Sequence, residues 1–523
     1  MSATSVSVPE DLCALRARTL PLVAAALAAL GIALGLLFPL GLGADWPNHL
    51  ARLFIEAELS GSKVLSDSYA LDWTTPVPDL ASDLFVPSLS QLVGLDAAAG
   101  LAVGLALVAA PLGGLALSRV LHGRVTALSL FGFAGAFGFS ASWGFVNFLL
   151  STGLALGAFA LWVRLAPSWR KAVLFAGLGS GLAVCHALGL VLLGFLAALY
   201  ELGRVLRAPR PAPALLRGAR DGLAFLPGIA FVLWSASRSP VPGEPVPWIW
   251  GLSERSVALL SPFVFGIDPA RLMVAALCFA GLVAGLGFAL RRRLLAVHPA
   301  MLPVVLGLLA LVLLMPVKAL GIWGLHFRFG AVFVAVLAAS LRPAPGGMPV
   351  RRRMALVLIP LAVLPALVSV PEMARRQAEA EAARRVFAAL PPGAHLLPVN
   401  DEAAPHGAQH VAALAVIERA AYVPNLFVDT SPVGLHPRLA DGHGHGDALT
   451  PSLLLARAGC AGGDQGAFGA AWPDRYSHVA LIRPDGGAGL NDPRLALIGA
   501  SARVVLYRVD AAAGGCAPGG LVR

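Results

Sequence analysis

The chain reads as a polytopic α-helical membrane protein of about eleven transmembrane helices, with a small extracytoplasmic α/β domain at its C-terminal end. Three observations carry that reading. Apolar runs near spanning length recur from residue 20 to residue 371. Hydrophobic residues make up 57% of the chain and charged ones only 13%, with a mean hydropathy of +0.76. The positive residues gather between the apolar runs, so the net charge of +10 reflects membrane topology and speaks against a nucleic-acid partner. Only three lysines stand against thirty-six arginines in a chain loaded with Ala, Gly and Pro, as GC-rich coding would give, so arginine abundance alone says little about chemistry.

The first run, 20–42, is longer than a signal-peptide core and reads as a retained anchor. Further spans are expected at 96–118, 125–141, 145–163, 172–185, 187–203, 222–236, 272–290, 300–317, 329–341 and 354–371. Residues 172–203, across Cys185 and His186, are either one long tilted helix or two short ones joined by a tight turn. Counting Lys and Arg in alternate connections gives nineteen on one side and seven on the other. That bias puts residues 1–19 in the cytoplasm, the transmembrane domain at 20–371, and the tail 372–523 outside a bacterial inner membrane.

Three regions interrupt the membrane pattern. The outer loop 43–95 is rich in acids, with Trp46, Trp73 and several prolines. The outer loop 237–271 carries a Pro-rich stretch with Trp248 and Trp250 at interface depth. The tail opens with a helix by composition, ended by Leu390, Pro391, Pro392 and Gly393, and continues with short apolar runs at 395–399, 478–483 and 502–508. Cys460 and Cys516 are either a disulfide or two free thiols. The segment 441–447, AspGlyHisGlyHisGlyAsp, reads as a glycine-loosened surface loop rather than a structural metal site. No Walker loop, dinucleotide fingerprint, HExxH or CxxC motif occurs where its mechanism would need it.

The segment most suggestive of chemistry lies just past the first span. Asp45, His49, Arg52 and Glu56 recur at one-turn spacing, so with Pro47 in a first helical turn they share one polar stripe. An acid at the outer end of a span is costly unless paired, hydrated or bound to a metal, which makes Asp45 the leading catalytic candidate. Asp45 also fits a helix N-cap ahead of Pro47, and the two roles are compatible. His49 is placed to hydrogen-bond Asp45 or share a cation with it, and Arg52 to pair with Asp45 or Glu56 or reach a lipid phosphate. A second cluster, Lys318, His326 and Arg328, lies at the outer surface against the prevailing charge bias, as an anionic ligand such as a diphosphate or simple headgroup anchoring would require. His186 and Asn147, beside apolar spans, read as interhelical hydrogen-bonding residues.

An acid in a long first outer loop, many spans, a basic cluster before a late helix and an outer C-terminal domain together resemble the GT-C superfamily of integral membrane glycosyltransferases. The resemblance covers residues 20–371 as architecture. It implies a sugar donor linked to polyprenyl phosphate, with Asp45 as catalytic base or metal-associated acid, His49 beside it, and Arg328 with Lys318 or His326 at the carrier phosphate. Arg52 and Glu56 complete the expected substrate site. It leaves room for a divalent cation but assigns no metal ligands. Two departures stand out: Asp45 is followed by Trp46 rather than a second acid, and the connection near 140–144 has no acid at all. The segment 421–429 is also similar to parts of bacterial membrane proteins of this architecture to which no activity attaches. The competing expectation is therefore a non-catalytic partner in envelope polysaccharide assembly, or a transporter. For a transporter, repeats and mid-bilayer ionisable groups are missing from the sequence.

Overall fold

The computed structural model describes residues 19–238, 251–266, 268–319, 322–343, 348–428, 431–442, 449–455 and 472–510. The loop 441–447 from residue 443 on, Cys460, Cys516, Trp248, Trp250 and the N-terminal 18 residues lie outside these. The chain divides into two compact units.

The first unit comprises residues up to 37, 103–141 and 146–372. Among the described residues, five helices are long and apolar enough to cross a membrane: Thr19–Leu37, Leu95–His122, Val146–Arg164, Ala187–Val205 and Pro269–Arg291. Shorter apolar helical stretches are Leu128–Ser142, Pro299–Leu314 and Leu325–Ser340. These elements make the chain an integral membrane protein. Residues 172–203 form two helices, Trp169–Cys185 and Ala187–Val205, because His186 is extended (φ −172°, ψ 127°) and its ring Nδ1 accepts the Leu188 N–H. Lys171 closes the end of Val146–Arg164, donating to the carbonyls of Trp162 and Leu165 while lying 3.9 Å above the Trp162 ring.

Where the sequence suggests a membrane helix over 125–141, the chain instead forms a 3₁₀ stretch, Leu128–Gly135, followed by the short helix Phe139–Ser142. Every residue of Leu128–Gly135 is buried, so its apolar composition is explained by protein on all sides. Helices Leu95–His122 and Val146–Arg164 approach closely at Gly153, where an added Cβ would fall 2.3 Å from Ala109 Cβ and 2.4 Å from its carbonyl carbon.

The second unit comprises residues 38–102, 142–145 and those from 373 on. It joins the first acidic loop to the tail. The tail runs at 396–400, 478–482 and 504–509 are strands, joined by Leu495–Ala500 in a four-stranded sheet. Leu396–Asn400 runs parallel to His478–Ile482, which pairs antiparallel with Val504–Val509, and Leu495–Ala500 closes the edge. Loop and tail also share a two-stranded ladder, Tyr69–Leu71 against Val433–Leu435, beside which the buried Tyr69 hydroxyl donates to Ala421 O and accepts from Val423 N.

The Gly153 contact predicts that Gly153→Val, which overpacks the crossing, lowers stability by roughly 2 kcal/mol or more. Gly281→Val, where nothing lies within 4 Å, leaves it unchanged. Thermal unfolding of the detergent-solubilised protein checks both, and equal melting temperatures for the two variants refute the packing argument.

Candidate active site

The Trp46–Glu58 helix in the second unit carries the polar stripe, with Pro47 in its first turn. Trp46, Asn48, His49, Leu50, Arg52, Leu53 and Ile55 are all buried, so the stripe lies inside the unit. Its amino-terminal end is built by three chain segments. Gly43 N donates to Ser142 O, Ala44 N to Gly407 O, and Asp45 N to Trp143 O at 3.0 Å. Ala44 adopts φ +42°, a left-handed conformation costing about 1 kcal/mol in a non-glycine residue. Gly144, at φ +81°, must be glycine: a Cβ there would fall 2.6 Å from Gly43 O and 2.7 Å from Trp46 N. The connection around 140–144, noted for lacking an acid, thus supplies the backbone scaffold that sets Asp45.

Asp45 occupies the N-cap position, but its side chain makes no capping hydrogen bond. Capping alone therefore does not account for the acid. Its Oδ1 lies 3.8 Å from His410 Nε2, with the Asp45 side chain 21% exposed and that of His410 15% exposed. Burial pushes the His410 imidazole down to about 4, so it is neutral at physiological pH. One turn on, Asn48 ties the helix to the tail segment 421–429: its Oδ1 accepts from Phe427 N at 2.8 Å, while its Nδ2 donates to Asn425 O at 2.8 Å and meets His410 Nδ1 at 3.2 Å. His49 and His410 both set their rings edge-on to Phe427, at 5.3 and 4.9 Å between centroids.

Deeper along the helix, the Arg52 guanidinium is fully buried and contacts both Asp83 carboxylate oxygens through Nη2, at 2.8 and 2.9 Å. Glu56 Oε1 lies 3.9 Å from Arg52 Nε, with both side chains 1% exposed. Burial first, then the neighbouring Asp83 charge, raise the Glu56 carboxyl to about 9, so it carries its proton at neutral pH. The Arg52 cation then faces the Asp83 and Asp79 carboxylates and a neutral Glu56, an arrangement that holds the helix in place.

The second cluster belongs to the first unit. Arg328, buried, donates from Nε and Nη2 to Trp323 O and lies 5.4 Å from the Phe148 ring centroid. His326, between the expected spans, is pushed down to about 4 by burial and then by the Arg255 charge. Arg255 itself donates to the end of the Leu302–Leu314 helix, at Leu313 O and Met315 O. Lys318 pairs with Trp323 in a two-residue ladder and is half-buried. Asn147, also buried, lies in the first turn of Val146–Arg164.

Sequence reasoning missed His410, Asn425, Phe427 and Asp83. The segment 421–429 had been noticed, but nothing local marks it as a partner of a helix more than 360 residues away. Among the described residues, no group of three His, Cys, Asp or Glu side chains is arranged to hold a metal ion.

A largely helical first unit and a second unit built on a mixed four-stranded sheet make up the fold, and solved structures are similar to the chain in overall fold. The chain is similar to ArnT from Cupriavidus metallidurans in the apo state, with 14% identity, a TM-score of 0.54, and coverage of 95% of this chain and 99% of that one. It is also similar to ArnT from the same organism bound to undecaprenyl phosphate, with 14% identity, a TM-score of 0.49 and the same coverage. At this identity the likeness is one of fold alone. No protein-family model matches the chain, and no curated protein matches it.

The buried acid gives a pH test. A carboxyl raised from 4.5 unfolded to about 9 folded contributes stability that is complete below 4.5 and is lost as pH climbs toward 9. The slope approaches about 1.4 kcal/mol per pH unit between those limits. Glu56→Gln removes that slope, so in thermal unfolding from pH 6 to 9 the variant loses less stability than the parent and exceeds it at pH 9. Parallel curves refute a protonated Glu56.

Proposed function

We propose that the chain is a membrane glycosyltransferase that moves a sugar from a polyprenyl-phosphate-linked donor to an envelope lipid, glycan or protein acceptor at the outer face of a bacterial inner membrane. A shared fold does not by itself give an activity, so the reading rests on the site. The observation that carries it is Asp45: a carboxylate at the end of a buried helix, set by a strained turn and facing a neutral imidazole. Strain and orientation of this kind are what a positioned base requires.

Asp45 accepts the proton of an acceptor hydroxyl. The acceptor oxygen forms a bond to the anomeric carbon as the bond from that carbon to the phosphate oxygen breaks, and the polyprenyl phosphate leaves with the electron pair. Cations offset the charge developing on the leaving phosphate. For the carrier phosphate we keep Arg328 and Lys318, residues of the first unit put forward from the sequence resemblance alone. His326, held neutral at working pH, serves there as a hydrogen-bonding group. His49 lines the base through its contact with Phe427. Arg52 and Glu56 act on the substrate only through the placement of the helix they anchor.

The test is a deletion strain profiled by mass spectrometry of envelope glycans and glycolipids, then complemented. The parental gene restores a sugar-bearing species that the deletion loses. Asp45→Asn, inserted at equal level, lowers its formation by about 100-fold or more, the usual contribution of a general base. An unchanged envelope in the deletion strain overturns the reading, and full restoration of the lost species by Asp45→Asn overturns Asp45 as base and favours the non-catalytic assembly partner.

A further inference from the structure

We propose that His410, from the tail, is a positioning residue for Asp45: Asn48 locks its ring as the Nε2–H tautomer, and that N–H holds Asp45 Oδ1 so that the other carboxylate oxygen faces the acceptor. The proposal rests on the reading of Asp45 as base. The argument runs through one amide. Asn48 Oδ1 accepts the Phe427 backbone N–H at 2.8 Å, which fixes which end of the amide is oxygen. Nδ2 is then the donor, and it is spent on Asn425 O at 2.8 Å and His410 Nδ1 at 3.2 Å. A ring nitrogen facing an amide N–H is an acceptor, so in a neutral imidazole the proton sits on Nε2. Nε2 faces Asp45 at 3.8 Å from Oδ1, longer than a hydrogen bond, and the proposed contact forms as the two groups draw together.

The groups facing His410 are Asp45 and Asn48 from the helix and the Phe427 ring from the tail, with His49 on the same ring. Burial is the one cause that displaces its titration, downward to about 4. The imidazole therefore stays a neutral donor across the working range, orienting the carboxylate without adding a positive charge that would blunt it as a base.

Two measurements on the full-length protein test this. In detergent-solubilised protein labelled with ¹⁵N-histidine, the His410 signals, assigned by their loss in His410→Gln, report a bare Nδ1 and a protonated Nε2 at pH 7. Asn48→Leu mixes the tautomers, and Asp45→Asn shifts the Nε2 signal. A protonated Nδ1, or an Nε2 signal indifferent to Asp45→Asn, overturns the proposal.

In membranes of the complemented deletion strain, His410→Ala lowers transfer by about 10-fold at neutral pH and moves the acid limb of the pH profile upward by about one unit, because a carboxylate that loses a donor protonates more readily. His410→Gln, whose amide N–H can replace Nε2–H, recovers most of the rate. A lowered plateau with an unmoved acid limb, equally in both variants, marks a structural role and overturns the proposal. Parental transfer by Asp45→Asn defeats the catalytic reading itself, while the ring-nitrogen measurement still decides whether Asn48 and Asp45 set the His410 tautomer.

Discussion

The constraint on which the second unit depends is the burial of a polar helix. Trp46–Glu58 brings Asn48, His49, Arg52 and Glu56 out of water, and each unanswered group would cost from about 1 to several kcal/mol. Arg52 is answered by Asp83 through two short contacts to one nitrogen. Asp79 adds a second carboxylate beside that pair, and the proton retained on Glu56 spares the pocket a third charge. A buried ion pair of this kind adds little net stability over an apolar substitute, but it is costly to break and so fixes the helix to one orientation. Orientation is what a site at the end of that helix needs.

From that anchored helix the polar stripe runs back to Asp45 through Asn48, which satisfies three groups at once: a backbone N–H, a backbone carbonyl and a ring nitrogen. Networks in which every member is satisfied rigidify their surroundings. Here the network spans the loop and the tail, so the first loop and residues 410–427 behave as one construction. The turn before Asp45 completes it: Ala44 in the left-handed region and Gly144 without room for a Cβ are tolerated only because the surrounding hydrogen bonds determine the path.

Much of this was legible in the sequence, for identifiable reasons. Hydropathy located the apolar helices, since length and composition are what a bilayer selects. It gave no way to tell a spanning helix from a stretch enclosed by protein, and Leu128–Gly135 is the latter. His186 marked the break between two helices only once its extended backbone was known. Asp45 stood out because an acid after an apolar run is costly, and the one-turn spacing put His49, Arg52 and Glu56 on its helix. Spacing speaks only of neighbours along the chain. Asp83 lies 31 residues from Arg52 and His410 lies 362 from Asn48, and no local pattern announces such pairings. Three tail strands were visible as apolar runs; the fourth, Leu495–Ala500, is as apolar (LeuAlaLeuIleGlyAla) but was not among the expected runs, and it forms a partly exposed edge.

The chemistry of the Asp45 neighbourhood turns on charge. A protonated histidine within 4 Å of a carboxylate forms an ion pair that favours the anion but weakens it as a proton acceptor. Burial among Phe427 and the backbone prevents this by holding His410 neutral down to about 4. What remains is a dipolar donor, strong enough to fix one carboxylate oxygen and weak enough to leave the other basic. The same burial that would make a lone imidazole an unremarkable core residue becomes, beside an uncapped acid, the means of keeping that acid ready. A surface histidine at the same distance would titrate within the working range and switch the base off as the medium acidified, so the site depends on the tail covering the ring as much as on the acid itself.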